Sequence, residues 1–458
     1  MRKPIALLVA IVMALIAQGC FAGGERDCAL ILYGISIPLA IYALVGAKAE
    51  PHKEQWIKRK TTSALLAVTA LTLEAVTLFR EAKGVISAQE ALPFYVLSIV
   101  TFALAILVFD KITLKRPRVS RWETLALAAI ILLALALRLY RLDSIPPGMW
   151  GDEANDGLEA LRVLSGQFST PFTTDWGGNP AMKAFVNAAS FVIFGPTIFG
   201  LRVVAAIFGT VSIFLTYLLA RQLFTPRVAL LSGFLVTVSR WHIHRSRFDS
   251  IIIQALPFEL AAFFFLFRGL KSRRLSDFAW SGLALGFGLN FYHGSRIVPF
   301  IVVALLVYEI LRDRWGFIRH YCLGLMVLLI AALVAFAPLG LVFLQRPEAL
   351  VRRARIVWLF NNKAHFRGMY PGEHSDLEMA MLQAKDTLLM FNYKGDANPV
   401  FNWAREPMLD PVTAVLFVLG LAYALYRWEG DRHFFLLSWL FLTLLPGSVL
   451  TIGAPHAP

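Results

Sequence analysis

The segment 150–156 carries the residues of this chain that are best suited to proton chemistry. Three acidic side chains, Asp152, Glu153 and Asp156, lie close together after a long apolar segment. A carboxylate within hydrogen-bond reach of a hydroxyl group can act as a general base. In a chain built mostly of apolar segments, clustered ionisable groups mark a candidate functional site. We therefore expect Asp152 to be a catalytic base, with Glu153 beside it.

Asp152 also suits a structural role as the N-cap of a helix. Aspartate is a favoured N-cap residue, and Gly151 before it allows a turn. A carboxylate that accepts two backbone N–H groups is a poor base, because those hydrogen bonds stabilise its ionised form. In that case Glu153 or Asp156 becomes the candidate base, so both interpretations stay open from local sequence.

Two helices are predicted to hold these residues at the membrane surface. Over residues 153–164, apolar side chains recur at helical spacing on one face, namely Ala154, Leu158, Leu161 and Leu164. The acids Asp152, Asp156 and Glu159 follow a similar spacing on another face, and the spacing predicts an ion pair between Glu159 and Arg162. A second amphipathic stretch runs from Asn179-Pro180 to Phe194, with Pro180 in a position that suits a first helical turn.

The composition is that of a membrane protein with many helical spans. Of the 458 residues, 58% are hydrophobic and 16% are charged, whereas a soluble domain is about half apolar and about a quarter charged. The apolar runs are continuous, unlike the alternating strands of a membrane β-barrel. We predict an all-α polytopic transmembrane helix bundle of about 13 spans, near residues 5–22, 29–47, 62–79, 91–109, 122–139, 199–220, 228–239, 250–267, 278–292, 297–311, 321–344, 411–426 and 434–452.

The distribution of basic residues predicts the orientation of the chain. With a cytoplasmic N-terminus, the inner loops obey the positive-inside rule, and their cations include Lys58, Arg59, Lys60, Lys111, Lys115, Arg116, Arg268, Lys271, Arg273, Arg274, Arg312 and Arg314. These loops explain most of the net charge of +14, so nucleic acid is not an expected partner. The long segments 140–198 and 345–410 then face outward, and the basic character of the second one suggests a function for its cations.

The chain is predicted to have two parts. Residues 1–121 form an N-terminal module of four spans without an acidic cluster, and residues 122–458 form the catalytic membrane domain with both long outer loops. The sequence ends at Pro458 just after an apolar span, which is compatible with a C-terminal truncation of that domain.

No metal site is expected from the sequence. Cys20, Cys28 and Cys322 form no ligand or redox pattern, and the pair His242 and His244 is a weak metal signal without further ligands. No cofactor is required, although the predicted acidic face of residues 152–159 leaves room for a divalent cation.

Candidate phosphate-binding cations lie at predicted outer helix ends. The arginine side chain suits phosphate because its planar fork binds two oxygens at once. The structural alternative for each is snorkelling at the membrane boundary. The candidates for binding donor phosphate or substrate are Arg245, Arg247, His293, Arg296, Arg352, Arg353 and Arg355, together with the acid Asp396, which could orient a sugar or an acceptor.

One acidic loop opposite scattered cations fits sugar transfer from a lipid phosphate to a hydroxyl. The leaving phosphate is a weak base, so the reaction needs one carboxylate to deprotonate the acceptor and cations to stabilise the phosphate. A glycosidase would need two carboxyl groups facing each other across the bond that breaks.

Several stretches resemble GT-C membrane glycosyltransferases, in particular glycosyltransferase family 39, with the protein O-mannosyltransferases and the aminoarabinose transferases. The resemblance covers roughly residues 120–450 and rests on Arg138-Leu139-Tyr140, Pro147 to Ala154, Asn179-Pro180, Phe194 to Arg202, Tyr217 to Phe224, Tyr292 to Arg296, and Lys394 to Asn398. It implies a polyprenyl-phosphate-linked donor, an outward-facing site and inversion at the anomeric carbon. The family's catalytic acid corresponds to Asp152. The chain departs from the family's His-Pro-Pro-like segment at Asn179 and Ala181.

These observations predict an inverting glycosyltransferase on the outer face of the plasma membrane. Its partners would be a polyprenyl-phosphate sugar, a glycolipid, polysaccharide or protein acceptor, and the lipid bilayer. A transporter or a flippase of lipid-linked sugars is the alternative class, because Glu74 and Glu259 lie inside predicted spans. An oligosaccharide ligase or polymerase of the same fold would instead use a diphosphate-linked donor.

Overall fold

The computed structural model describes residues 51–109, 119–168, 170–175, 178–313, 315–399 and 402–453. Within these ranges the chain is almost entirely helical, and two isolated bridges, Thr174–Pro180 and Trp358–Thr451, are its only β-type pairings. The predicted all-α fold is confirmed over this part of the chain. The predicted spans 5–22 and 29–47 lie outside the described residues, and the predicted division at residue 121 stays a prediction.

Seventeen α-helices are described. In the first half of the chain they are α1 Pro51–Ala82, α2 Ala88–Phe109, α3 Arg121–Leu139, α4 Gly151–Leu164, α5 Met182–Phe194, α6 Ile198–Leu223, α7 Pro226–Val238 and α8 Arg240–Ser246. The second half holds α9 Ile251–Ser272, α10 Leu275–Leu289, α11 Val298–Asp313, α12 Trp315–Gln345, α13 Pro347–Val357, α14 Lys363–Met369, α15 Asp376–Leu389, α16 Pro411–Tyr426 and α17 Asp431–Leu444. Short 3₁₀ segments at His293–Ile297 and Leu359–Asn361 and a π turn at Leu445–Val449 complete these ranges.

Eight helical segments in the described ranges are long and apolar enough to cross a membrane. They coincide with predicted spans and lie at Arg59–Ala82, Ala88–Phe109, Arg121–Leu139, Ile198–Leu223, Ile251–Ser272, His293–Asp313, Gly316–Gln345 and Asp431–Val449. The predicted spans 228–239 and 411–426 correspond to shorter apolar helices, α7 and α16. The predicted span 278–292 corresponds to α10, which has 15 residues and is shorter than the bilayer requires.

Side-chain caps define where several helices begin. Ser120, Thr197 and Thr225 each accept a hydrogen bond from the backbone N–H three residues later, at the starts of α3, α6 and α7. Pro226 and Pro411 occupy the first turns of α7 and α16, where the missing N–H removes no helical hydrogen bond. Local sequence therefore accounts for these helix boundaries.

The main core surrounds α9. Phe263 is fully buried and packs edge-on against Phe435 of α17, with ring centroids 4.8 Å apart. The same core includes buried side chains of α6, α10 and α11. Helices α10 and α12 approach so closely that a Cβ atom at Gly282 would lie 2.1 Å from the carbonyl oxygen of Leu328. Glycine is required at this contact because any side chain would clash with that backbone.

Helices α1 and α2 form a hairpin that packs against α10 and α12. The shared cluster consists of apolar side chains, four of which are alanine, namely Ala70, Phe102, Ile106, Ala279, Leu283, Ala331, Val334 and Ala335. Small residues at a helix interface let the backbones come close, which is how helices associate in a bilayer without a hydrophobic driving force. The hairpin is therefore part of the same helical assembly as the predicted catalytic domain.

Candidate active site

Asp152 lies in the first turn of α4 and is exposed. The helix begins at Gly151, its N-cap is Trp150, and no side chain provides a cap hydrogen bond. The alternative interpretation of Asp152 as a helix cap is therefore contradicted by the structure. Its carboxylate faces outward from the start of a helix, where a substrate hydroxyl could reach it.

Glu153 has a different environment from its neighbour. Its side chain is fully buried, and the Nε and Nη2 atoms of Arg202 donate to its two oxygens at 2.7 and 2.8 Å. The backbone N–H of Asp249 donates to the same carboxylate at 3.2 Å. A paired carboxylate of this kind is not available to an acceptor, so the geometry favours Asp152 over Glu153 as the base.

Arg202 and Arg247 hold the irregular segment between α3 and α4 in place. Arg202 donates to the carbonyl oxygens of Pro146 and Gly148 at 2.8 and 2.6 Å, in addition to its pair with Glu153. Through this arrangement a single guanidinium from α6 fixes both the approach to α4 and its first turn. The backbone just before Asp152 is thereby set by a side chain far away in the sequence.

Arg247 does not contribute to the site in the way the sequence predicts. Its guanidinium donates to the carbonyl oxygens of Leu137 at 2.7 Å, Ile145 at 2.9 Å and Arg138 at 3.1 Å. A guanidinium whose N–H groups are occupied by backbone carbonyls has little capacity left for a phosphate. The structure thus corrects the predicted role of Arg247 from phosphate ligand to loop anchor.

A buried ionic network lies directly below α4. Lys183 of α5 bonds to the carboxylate of Asp156 and forms an ion pair with Asp249 at 3.1 Å. Asn187 and Gln254 each donate to Asp249 at 2.9 Å. Burial raises the pKa of Asp249, and Lys183 opposes that rise. The network joins α4, α5 and α9, and it fixes the face of α4 opposite to solvent.

The predicted ion pair between Glu159 and Arg162 is present, with the Nη1 atom of Arg162 donating to the carboxylate. Glu159 is buried while Arg162 is half exposed. The acidic face predicted for Asp152, Asp156 and Glu159 is thus divided, since Asp156 and Glu159 are bound to cations. Within the described residues, no group of three or more His, Cys, Asp or Glu side chains has the geometry to hold a metal ion.

Arg245 is a further buried cation of the candidate site. Its side chain is 4% exposed, and burial lowers its pKa to about 10, so it stays protonated at neutral pH. Tyr292, Asp396 and Asp152 act in the opposite direction on that pKa, which places all three within electrostatic range of the guanidinium. Arg245 therefore connects the first outer segment, the start of the 3₁₀ segment and the last polar loop.

The 3₁₀ segment His293–Ile297 forms the next side of the site. The Nδ1 atom of His293 bonds to Asn179 of the first outer segment, and the Ser295 hydroxyl donates to Glu259 of α9 at 2.6 Å. Arg296 donates from Nη1 to the carbonyl oxygen of Leu350 at 2.5 Å. Its Nη2 atom is buried and has no hydrogen-bond partner among the described residues, and the guanidinium lies over the ring of Phe343 at 4.8 Å.

Helix α13 contributes the exposed cations. Arg352, Arg353 and Arg355 all lie on its surface. Arg353 is within electrostatic range of Tyr292 and His293, and a Cβ atom at Gly178 would lie 3.9 Å from the Cδ atom of Arg352. No contact of the Arg355 side chain with these groups is found in the described structure. The structure therefore brings Arg352 and Arg353, but not Arg355, to the site.

Asp396 lies in the loop between α15 and α16 and is 6% exposed. Its Oδ1 atom accepts a hydrogen bond from the N–H of Asn398 at 2.8 Å, which forms a tight polar turn. The turn thereby holds a buried carboxylate in a fixed position in this loop.

Two comparisons of the sequence with known proteins give matches to sugar transferases. Residues 178–340 match the family model described as dolichyl-phosphate-mannose-protein mannosyltransferase. The chain is also 28% identical over 239 residues to undecaprenyl phosphate-alpha-4-amino-4-deoxy-L-arabinose arabinosyl transferase 1 of Pseudomonas fluorescens. These matches confirm the resemblance to GT-C glycosyltransferases. The aligned part covers 50% of this chain and 41% of that relative, so the chain spans about two fifths of the relative's length.

Among solved structures, the chain is similar to the archaeal oligosaccharyltransferase AglB from Archaeoglobus fulgidus in complex with an inhibitory peptide and a dolichol-phosphate. The TM-score is 0.45 at 16% identity, and the similarity covers 72% of this chain and 48% of AglB. The apo form of the Archaeoglobus fulgidus oligosaccharyltransferase gives a TM-score of 0.43 at 16% identity, with coverage of 72% and 48%.

Sequence reasoning missed the structural partners of the site. The signal for Lys183 was a single cation in an otherwise apolar helix, and the signal for Arg202 was an arginine in the first turns of a long apolar span. Neither pattern identifies the residue with which the cation pairs. Lys183 and Asp249 are 66 residues apart in the sequence, and Arg202 and Glu153 are 49 apart.

Proposed function

We propose that this chain transfers a sugar from a polyprenyl-phosphate-linked donor to an acceptor hydroxyl, with Asp152 as the single base. One observation carries the proposal: Asp152 is exposed in the first turn of α4, whereas the adjacent Glu153 is buried and paired with Arg202. The resemblance to GT-C glycosyltransferases supports the reaction class.

In this mechanism the acceptor hydroxyl gives its proton to Asp152 while its oxygen attacks the anomeric carbon. The bond from that carbon to the phosphate oxygen breaks, and the polyprenyl phosphate leaves with the electron pair. Because the nucleophile enters opposite to the leaving group, the anomeric configuration inverts. The carboxylate needs no partner acid, since the departing phosphate is already a weak base.

The cations of the site suit the leaving phosphate. Arg245 provides a fixed positive charge in a buried environment, where electrostatic stabilisation is strongest. Arg296 contributes a buried Nη2 group that has no hydrogen-bond partner among the described residues, and Arg353 adds an exposed charge from α13. Asp396, a buried carboxylate held by the N–H of Asn398, would orient the sugar or the acceptor.

The topology proposed here places this site on the outer face of the plasma membrane. Support comes from the basic inner loops and from the position of α4, α13 and the loop around Asp396, which connect apolar helices on one side of the bundle. The acceptor, a glycolipid, a polysaccharide or a protein, would then approach from outside, and no cofactor is required.

A transport function has less support from the described spans. Glu259, the main candidate for such a role, accepts a hydrogen bond from Ser295 at the edge of the proposed sugar-transfer site. We therefore assign Glu259 a structural role, in which it holds the 3₁₀ segment in place, and not a role in a transport route through the bundle.

The experiment that tests the reaction class uses the full chain in proteoliposomes with radiolabelled polyprenyl-monophosphate sugars. We expect release of polyprenyl phosphate and a labelled product with inverted anomeric configuration. Polyprenyl-diphosphate donors serve as the control. Turnover of the diphosphate donor alone would favour an oligosaccharide ligase or polymerase, and movement of intact donor across the bilayer without bond cleavage would favour a flippase.

A further inference from the structure

We propose that the contact between the α1–α2 hairpin and helices α10 and α12 binds one anionic phospholipid. The feature concerned is a cavity of about 250 Å³ at this contact, which we call the hairpin cleft. Its walls include Ala64, Ala67, Phe102, Ile106, Ala279 and Val327. The inference does not depend on the proposed sugar transfer.

The hairpin cleft is distinct from the candidate active site. It includes Leu275 and Ser276, the first residues of α10, whereas the far end of α10 leads into the 3₁₀ segment that carries His293. The two sites therefore lie at opposite ends of the same helix. A ligand in the cleft would contact neither Asp152 nor Arg245.

The lining of the cleft suits an acyl chain. Nearly all of it is aliphatic or aromatic, and the Ser63 hydroxyl in its wall is already donating to the carbonyl oxygen of Ala105 at 2.7 Å. An apolar cavity without an occupant loses dispersion contacts along its walls. The cleft is not enclosed, and the apolar molecules that surround a bundle of membrane-length helices are lipids.

Positive charge lies at one end of the cleft. The ammonium group of Lys60 sits over the ring of Phe109 at 5.1 Å, and both residues belong to the cleft wall. Lys271 and Arg273 are exposed in the turn just before Leu275. A lysine at a helix end often only snorkels to the interface. Here the apolar hairpin cleft lies next to the ammonium group of Lys60. The cation suits the phosphate of one anionic lipid, and the cleft suits its acyl chain.

Native mass spectrometry of the purified chain, with phosphatidylglycerol or phosphatidylcholine added, tests this proposal. We expect one retained phosphatidylglycerol per chain. Lys60→Gln is expected to weaken that retention roughly fivefold, the effect of one cation beside an anionic headgroup. Lys83→Gln is the matched control, because Lys83 also lies over an aromatic ring, that of Phe79, but at the other end of α1.

A second pair of variants tests the cavity itself. Ala67→Phe fills the cleft and is expected to abolish retention, whereas Ala422→Phe on the exposed surface of α16 leaves it unchanged. Should Ala67→Phe fail to fold, a phosphatidylglycerol with a diazirine in its acyl chain replaces it, and labelling of the Phe102–Ile106 segment is the expected result. Equal retention of both lipids, no effect of Lys60→Gln, or labelling confined to other segments would overturn the proposal.

Discussion

Asp152 and Glu153 are neighbours with the same chemistry and opposite environments. Asp152 is exposed at the start of α4, whereas Glu153 is buried against Arg202. Burying a charged pair is costly, and removing one partner leaves the other charge uncompensated. Asp152 is therefore suited to a chemical role, and Glu153 is suited to a structural one.

Glu153→Gln tests this separation through stability. The substitution leaves the Arg202 charge buried without its counterion, which is expected to cost about 3 kcal/mol of unfolding free energy. Thermal unfolding in detergent should show a clear decrease in Tm for Glu153→Gln and no change for Asp152→Asn, the adjacent control. Equal Tm values for Glu153→Gln and wild type would show that the buried pair is not required.

His242 predicts a pH dependence of stability. It is 5% exposed, its Nδ1 atom accepts from Arg138 at 2.8 Å, and its Nε2 atom lies 3.0 Å from the Ser212 hydroxyl. Arginine can only donate, so the imidazole is neutral with its proton on Nε2. Burial and the charge of Arg138 lower its pKa to about 3.

Because the pKa is lower in the folded state than in the unfolded chain, protonation favours unfolding. The stability that this group contributes is complete above about pH 6.5 and is lost as the pH falls toward its folded pKa. We expect a loss of about 2 kcal/mol near pH 5 relative to pH 8. His242→Gln should remove this part of the pH profile of Tm, and an unchanged profile in that variant would contradict the assignment.

At the scale of elements, α13 separates cations that the sequence groups together. Arg353 is within electrostatic range of Tyr292 and His293, whereas no contact of the Arg355 side chain with them is found among the described residues. Because helical residues two positions apart face different directions, the two side chains cannot share one function.

Arg353→Gln is therefore expected to weaken donor binding, whereas Arg355→Gln is the control on the same helix. Loss of one charge-assisted contact to phosphate should raise the KM for the donor roughly tenfold, with a smaller effect on kcat. Steady-state kinetics with a lipid-linked donor would measure both values. An equal effect of the two substitutions would indicate a general surface potential and no defined phosphate contact.

The helical elements could be predicted from the sequence because their signals are local. Apolar run length predicted the eight membrane-length segments that the structure shows in the described ranges. The predicted span 278–292 differs because α10 is short and packs through Gly282 against another helix. The length of such a helix depends on its packing against other helices, which a hydropathy profile does not report.

The site could be predicted only in part. Asp152, Arg245 and Asp396 were proposed from residue type and from position at predicted helix ends; the structure shows Asp152 exposed and Arg245 and Asp396 buried, and their shared role stays a prediction. The anchoring role of Arg247 could not be anticipated, because its carbonyl partners are more than 100 residues away in the sequence. Long-range contacts of this kind depend on the fold, and residue type alone does not distinguish a phosphate ligand from an anchor.

On the scale of the whole molecule, α10 connects two regions with different properties. Its C-terminal end leads to the 3₁₀ segment of the proposed transfer site, and its N-terminal end forms part of the hairpin cleft. The α1–α2 hairpin packs along α10 and α12 between these ends. The α1–α2 hairpin contains no residue of the proposed site, but it packs against α10, which leads to that site.

The most direct measurement for the central claim is the rate of sugar transfer by Asp152→Asn in proteoliposomes. Asparagine keeps the size of the side chain but cannot take a proton, so transfer should fall by at least about 100-fold while donor binding and Tm stay close to wild type. Asp143→Asn, an exposed acid of the same outer segment, is the control and should retain full activity. Full activity of a folded Asp152→Asn would contradict the assignment of Asp152 as the catalytic base.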